Sequence, residues 1–227
     1  MKKLLLVTVF VFFSLTAQAQ PIKLTLHHFF VKEDVPQQQM LEPWAREVER
    51  LSNDQVKITI FPRMGRGGKP KDLISQATEG KITDLIWTVN TYSGKPFPSS
   101  EVFELPFVHR NDPVATNLAM REMFASDLKR EYDQKNLEVM FLHVHQGHAF
   151  LTSRYELRTP DQLRRKRVRV PGRIHKWIAE ELGAITIPTT VRQIPQLLQR
   201  NVVDTVLITA NIVKPLKMQN HISAMTE

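Results

Sequence analysis

VKITIFPRMGRGGKPKDLISQATEGKITDLIW, residues 56–87, is the stretch on which the fold turns. Val56, Ile58 and Ile60 alternate with Lys57 and Thr59, the two-residue period of a strand, and Pro62 ends the run. The loop from Met64 to Pro70 leads into a helix expected from about Lys71 to Glu79, with Gly80 marking its end. Asp84 to Val89 reads as the next strand. Upstream, Ile22 to Phe30 reads as a buried first strand, after Pro21. From Gln37 to Leu51 the apolar residues Met40, Leu41, Trp44, Val48 and Leu51 recur at helical spacing, and Asn53-Asp54 supplies the break. The order β-α-β-α-β argues for an α/β sheet with helices on its faces, where ligands gather at the carboxyl ends of the strands.

Downstream, Tyr92 to Pro106 carries Pro96, Pro98 and Pro106 and reads as a long loop across that edge. Asp112 is a plausible N-cap with Pro113 in the first turn of a helix to about Asp133, and Glu138 to Val144 reads as a strand. A second series follows: strands near 150–153, 168–170, 185–187 and 203–208, with helices opened by Thr159-Pro160-Asp161 and spanning 173–182 and 191–200. Two α/β lobes, 20–142 and 143–227, fit this order better than one domain.

The amino end has Lys2 and Lys3, an apolar run from Leu4 to Leu15, and then Ala17-Gln18-Ala19, which is the pattern of a secretory signal over residues 1–19. The apolar run reaches about 18 Å as a helix, short of a hydrocarbon core of about 30 Å. Export is therefore expected. The chain has no cysteine, so thiol chemistry and cysteine-ligated metal are excluded. Its formal charge of +8 suits nucleic acid, an anionic surface or anionic small ligands. Export disfavours the first of these, and no nucleic-acid partner is expected.

The run Arg164-Arg165-Lys166-Arg167-Val168-Arg169-Val170-Pro171-Gly172-Arg173 is the strongest local constellation. Arg164, Arg165 and Lys166 read as a solvated edge. Alternation then puts Val168 and Val170 on one strand face and Arg167 and Arg169 on the other, with Arg169 nearest the carboxyl end. A guanidinium offers two parallel N–H donors to a carboxylate, and this pairing strengthens where water is excluded. Alternation does not say which face is wet. His143, His145 and His148 have an H-x-H-x-x-H spacing that could hold zinc, but no acidic or cysteine partner lies nearby, so no metal is expected. His145 and His148 could instead donate to an anion. His27-His28 could line the same cleft or be buried in the sheet, and Trp87 and Tyr92 could stack on a ligand or belong to the core. The glycines at 65, 67 and 68 lack the Gly-Lys-Ser/Thr signature of a phosphate loop, and no acid/base pair, Ser-His-Asp order or H-E-x-x-H helix is present. Neither an enzyme nor a cofactor is indicated.

The motifs resemble those of the solute-binding proteins of tripartite ATP-independent periplasmic (TRAP) transporters, DctP type. Pro43-Trp44-Ala45 and Val56 to Pro62 look like the family's first helix and second strand, and Gly80 to Trp87 like its entry to the next strand. Tyr92-Ser93-Gly94-Lys95-Pro96-Phe97-Pro98 running into Glu101 to Phe107 resembles the cleft loop. Thr159 to Leu163, Val168 to Arg173, Leu182-Gly183-Ala184 and Pro188 repeat the family order in the second lobe. The resemblance implies a type II-like periplasmic-binding-protein clamp that closes on a small organic carboxylate and docks on the TRAP membrane carrier subunits. It implies that Arg169 holds the carboxylate. With it, the candidate ligand contacts are His28, Trp87, Asn90, Tyr92, His145, His148 and Asn211.

Departures accompany the likeness. Leu163-Arg164-Arg165 stands for the usual Leu-Lys-Gly, Asn201-Val202-Val203-Asp204-Thr205 for Gly-Val-Val-Asp-Gly, and Thr209-Ala210-Asn211 for the Pro-Trp-Glu of relatives with the same loop. No ligand identity is carried over. The sequence ends at Glu227, before the family's returning strands and long closing helix, so the C-terminal part of the clamp is expected to be missing. A fragment, a shortened or decayed paralogue, and a sensing module without transport are the alternatives.

Overall fold

A computed structural model describes residues 20–94 and 97–227. The expected signal at 1–19 and Lys95-Pro96 of the cleft loop lie outside the described residues. Two sheets form. In the first, β1 (Ile22–His27) pairs in parallel with β2 (Val56–Phe61) on one side and β3 (Leu85–Ile86) on the other. The Asp84 carboxylate fixes the third strand, accepting from both the backbone N–H and the hydroxyl of Thr25 at 2.8 Å. β3 is shorter than the expected 84–89, because the chain leaves the sheet after Trp87 and turns through Asn90–Tyr92 toward the second lobe.

The helix after β1 starts as a wide, π-helical turn at Gln37–Leu41 and continues as α1 (Glu42–Leu51). Pro43 has no N–H, and its ring would clash with the carbonyl four residues back, so the backbone widens and the Glu42 N–H reaches Gln37 O instead. α2 (Leu73–Thr78) follows a 3₁₀ turn, and Gly80 beyond it adopts φ +63°.

The segment expected as a structureless loop, 92–106, holds α3 (Pro98–Glu101) and a 3₁₀ turn at Val102–Glu104. Their order comes from a distance: the buried Glu131 carboxylate accepts the N–H groups of Ser99 and Ser100 at 2.9 Å each. Phe97 is wholly buried with Ile74 and Tyr132. α4 (Pro113–Met123) is capped by Asp112, whose carboxylate accepts from Ala115 N at 3.0 Å, and runs through a second π-helical turn into α5 (Lys129–Asp133). The strand expected at 138–144 is absent. There the Asn117 side chain takes a neighbouring strand's place, donating to Val144 O and accepting from Val144 N.

The second sheet has the order β6-β5-β7-β4-β8. β5 (Arg167–Val170) lies parallel to β6 (Ile185–Pro188) and β7 (Thr205–Ile208), whereas β4 (Ala149–Thr152) is antiparallel to β7 and to β8 (Ala224–Thr226), which the sequence did not suggest. α6 (Arg173–Glu181) and α7 (Ile194–Gln199) cover the sheet. Val168 and Val170 pack with Leu163 and Ala179 on one side, while Leu151 and Val206 pack with Ile194 and Met218 on the other. Each such aliphatic side chain contributes roughly 1.5–3 kcal/mol by leaving water. Among the described residues no helix is long and apolar enough to cross a membrane.

Candidate functional site

Alternation along β5 turns Arg169 away from the face that buries Val168 and Val170, and Arg169 is itself only 1% exposed. A buried guanidinium needs acceptors, and two strand ends supply them. Nε and NH2 donate to Thr189 O at 3.0 and 2.7 Å, and NH1 donates to Leu207 O at 3.1 Å. Thr189 follows directly on β6, where the sheet no longer uses its carbonyl. Burial lowers the guanidinium's pKa, and Tyr92, from the first lobe, acts against that. The side chain is thus fixed by its own lobe and touched by the other.

Arg169 stands at the wall of a cavity of about 1600 Å³ between the lobes. That exceeds the roughly 300–1,000 Å³ of most small-molecule sites. Phe29, Phe30, Trp87 and Tyr92 form an aromatic wall, with ring centroids 4.4 Å apart for Phe30–Trp87 and 5.5 Å for Phe29–Tyr92. His145, His148 and His175 stack edge to face beside the guanidinium, at 4.9 and 4.4 Å between successive rings. Burial, followed by neighbouring positive groups including Arg169, holds His148 well below the usual histidine range, and the same causes lower His175 to about 4. His145 keeps surface open to the cavity, yet the protein around it lowers its pKa as well. The imidazoles are neutral at pH 7, which leaves the guanidinium as the charged member of this group of four.

Of the eight candidate contacts, seven line the cavity: Trp87, Asn90, Tyr92, His145, His148, Arg169 and Asn211. Some are already engaged. Trp87 Nε1 donates to His143 at 3.1 Å, and Asn90 Nδ2 donates to the Tyr132 hydroxyl at 2.7 Å. His28 does not reach the cavity. It is fully buried, its Nε2 bonded to Gln37 and its Nδ1 accepting from Phe30 N, and burial lowers its pKa to about 4. His27 is likewise held by Gln76, at 2.8 Å. Arg167, on the same strand face as Arg169, is tied to Asp204 at the far end of the strand. Among the described residues no group of histidine and acidic side chains is arranged to hold a metal ion.

The sequence reading did not single out Thr91, Glu101, Glu104, Arg173 or His175 as site residues. Arg173 pairs with Glu101 across the lobes, Glu104 Oε2 lies 3.6 Å from His175 Nδ1, and Thr91 covers Gly172. The only local signal was the pair of acids within the proline-rich loop. Their partners lie some seventy positions away.

The sequence profile described as bacterial extracellular solute-binding protein, family 7 (DctP), matches residues 27–227. The chain is similar to a solved TRAP solute-binding protein from Rhodoferax ferrireducens T118 in complex with copurified benzoate: TM-score 0.81, 29% identity, 88% of this chain and 61% of that one. A TRAP solute-binding protein from a marine metagenome, in complex with 3-hydroxybenzoate, gives TM-score 0.84 at 26% identity, covering 91% and 63%. A Bordetella bronchiseptica relative with bound mandelate, at 18% identity and TM-score 0.82 over 90% and 64%, shares the fold. The chain thus spans less than two thirds of the length of these relatives. No curated protein matches it.

Proposed function

The chain belongs to the bacterial extracellular solute-binding proteins of family 7, the TRAP solute-binding proteins, and on that premise we propose that it captures a small aromatic monocarboxylate between its lobes. The observation that carries this reading is the buried Arg169, fixed by Thr189 and Leu207 carbonyls, in a cavity that the aromatic wall of Phe29, Phe30, Trp87 and Tyr92 also lines. The carboxylate takes the guanidinium's remaining donors and the ring lies against the wall. Two charge-assisted hydrogen bonds in a dry site contribute about 1.5–3 kcal/mol each. The binding of benzoate and 3-hydroxybenzoate by the relatives supports the same ligand class.

We propose further that the lobes divide near residue 143, that the protein is exported to the periplasm, and that it delivers its ligand to the membrane carrier subunits without catalysing a reaction. A ligand that touches both lobes binds the closed arrangement better than the open one, and that difference drives closure. Isothermal titration calorimetry with benzoate, 3-hydroxybenzoate and cyclohexanecarboxylate tests the ligand class. The two aromatic acids should bind at least tenfold more tightly than the saturated one. No binding of any of the three, or equal binding of all, would refute it.

A further inference from the structure

The turns at 98–104 carry Glu101 and Glu104 against the first turn of α6, on the opposite lobe. Glu101 is 4% exposed on its side chain and pairs with Arg173. Glu104 Oε2 lies 3.6 Å from His175 Nδ1, and both atoms are buried without a hydrogen-bond partner. Glu104 is also faced by Glu101 on its own segment, by Arg173 from α6 and by the Thr91 hydroxyl. His175 is faced by His148, whose ring centroid is 4.4 Å away, and by the charges of His145 and Arg169. Two buried titratable atoms aimed at each other from separate lobes call for an explanation.

We infer that Glu104 and His175 form a clasp across the cleft that carries one shared proton, so that closing the lobes on an anion exchanges almost no proton with solvent. The inference rests on reading the cleft as a ligand clamp. Burial is the largest cause at both groups and favours both neutral forms, raising Glu104 from 4.5 to about 7 and lowering His175 from 6.5 to about 4. Taken alone, each would make closure a steep function of pH. The Glu104 shift favours the closed form at low pH, and that advantage is lost as pH rises from 4.5 to about 7. The His175 shift favours it at high pH, and that advantage is lost as pH falls from 6.5 to about 4. Between 4.5 and 6.5 the separated pair holds one proton on the imidazole, and the closed pair holds one on the carboxyl. Closure moves that proton from ring nitrogen to carboxylate oxygen, and no other species is needed. Outside the window the two states differ by about half a pH unit at either end, about threefold in affinity.

Calorimetry with 3-hydroxybenzoate from pH 4 to 8 reads this directly. The wild type should stay within about threefold. Glu104→Gln leaves His175 uncompensated, so affinity should fall by up to about 300-fold as pH drops from 6.5 to about 4. His175→Asn should show the reverse, a fall of up to about 300-fold as pH rises from 4.5 to about 7, and the double variant should be flat. A Glu104→Gln profile parallel to the wild type overturns the clasp. Should neither 3-hydroxybenzoate nor benzoate bind at all, the proposed ligand class fails by itself. The clasp is then decided by the NMR titration of His175 in a Thr91→Cys, Gly172→Cys protein, cross-linked in a chain that has no other cysteine. A Cβ built at Gly172 stands 2.6 Å from that of Thr91, so parting by about 1 Å reaches disulfide spacing. A midpoint well below 6.5 in the cross-linked form sustains the inference, and one at 6.5 overturns it.

Discussion

Gly172→Ala tests whether the lobes close as described, because it places one methyl group on the contact between them. Gly172 has φ −156° and ψ −174°, an extended conformation that alanine adopts without strain, so the second lobe should fold unchanged. The difficulty arises only across the cleft. A Cβ at this position would stand 2.5 Å from Thr91 Oγ1 and 2.6 Å from Thr91 Cβ, where ordinary contact begins at 3.4 Å. The lobes must therefore part by close to an ångström, or Thr91 must move.

Overpacking by one methyl group costs about 1–3 kcal/mol. Here that falls on the closed form alone, and at 1.4 kcal/mol per tenfold it weakens ligand binding by about 5- to 150-fold. Calorimetric affinity for 3-hydroxybenzoate measures the loss, and a melting curve shows whether the fold is intact. Thr91→Gly removes both clashing atoms, so Gly172→Ala should cost less in that background than in the wild type. Unchanged affinity in the single variant, or no relief in the double, would refute the closed geometry.

Arg169→Lys keeps the charge but cannot bond the Thr189 and Leu207 carbonyls and a ligand together, so affinity should fall about 10- to 100-fold with a smaller effect on melting. Equal binding would remove Arg169 from the site. Glu131→Ala strands the N–H groups of Ser99 and Ser100, both now bonded at 2.9 Å, and should lower unfolding free energy by about 3 kcal/mol in urea titrations. An effect under 0.5 kcal/mol would mean that the turns at 98–104 are held some other way. Hydrogen bonding to Arg167 is the largest cause holding the Asp204 carboxyl below its ordinary 3.8. A depressed carboxyl stabilises the fold above its unfolded pKa, and that contribution is lost as pH falls below 3.8, so Asp204→Asn should flatten the acid limb of the stability curve.

The elements that were legible in the sequence are those whose causes are local. β2 shows its alternation, α1 its helical stripe, and α4 its capping Asp112 followed by Pro113, and each stands where the pattern put it. The failures have causes far away along the chain. Residues 138–144 carry a strand-like pattern, but Asn117 satisfies Val144 and no strand pairs with them. β8 exists because β4 offers it an open edge, which three residues at the end of the sequence do not announce. The helical turns at 98–104 depend on Glu131. The site divides in the same way. The position of Arg169 follows from alternation once Val168 and Val170 are buried, whereas His28 could not be assigned without Gln37 in space. The closeness of Gly172 to Thr91 was not legible at all.

The charges at the closed end of the cavity also bear on which acids it accepts. Arg169 contributes one positive charge, while His148 and His175 are kept neutral by burial and by that same charge. Glu104, raised to about 7, adds less than one full negative charge at neutral pH. A monocarboxylate cancels the guanidinium, and Glu104 then leaves this end somewhat negative. A second carboxylate on the same ring would face neutral imidazoles and the partly ionised Glu104, while Arg173, which faces Glu104, is already paired with Glu101, and desolvating an unpaired carboxylate costs several kcal/mol. Isophthalate differs from 3-hydroxybenzoate by placing such a group where the hydroxyl was. It should bind at least about 100-fold more weakly at pH 8, a gap of about 2.8 kcal/mol, and the gap should narrow as acid protonates it. Equal affinity at pH 8 would mean that another positive group reaches the ligand, and that the charge at this end is not set by Arg169 alone.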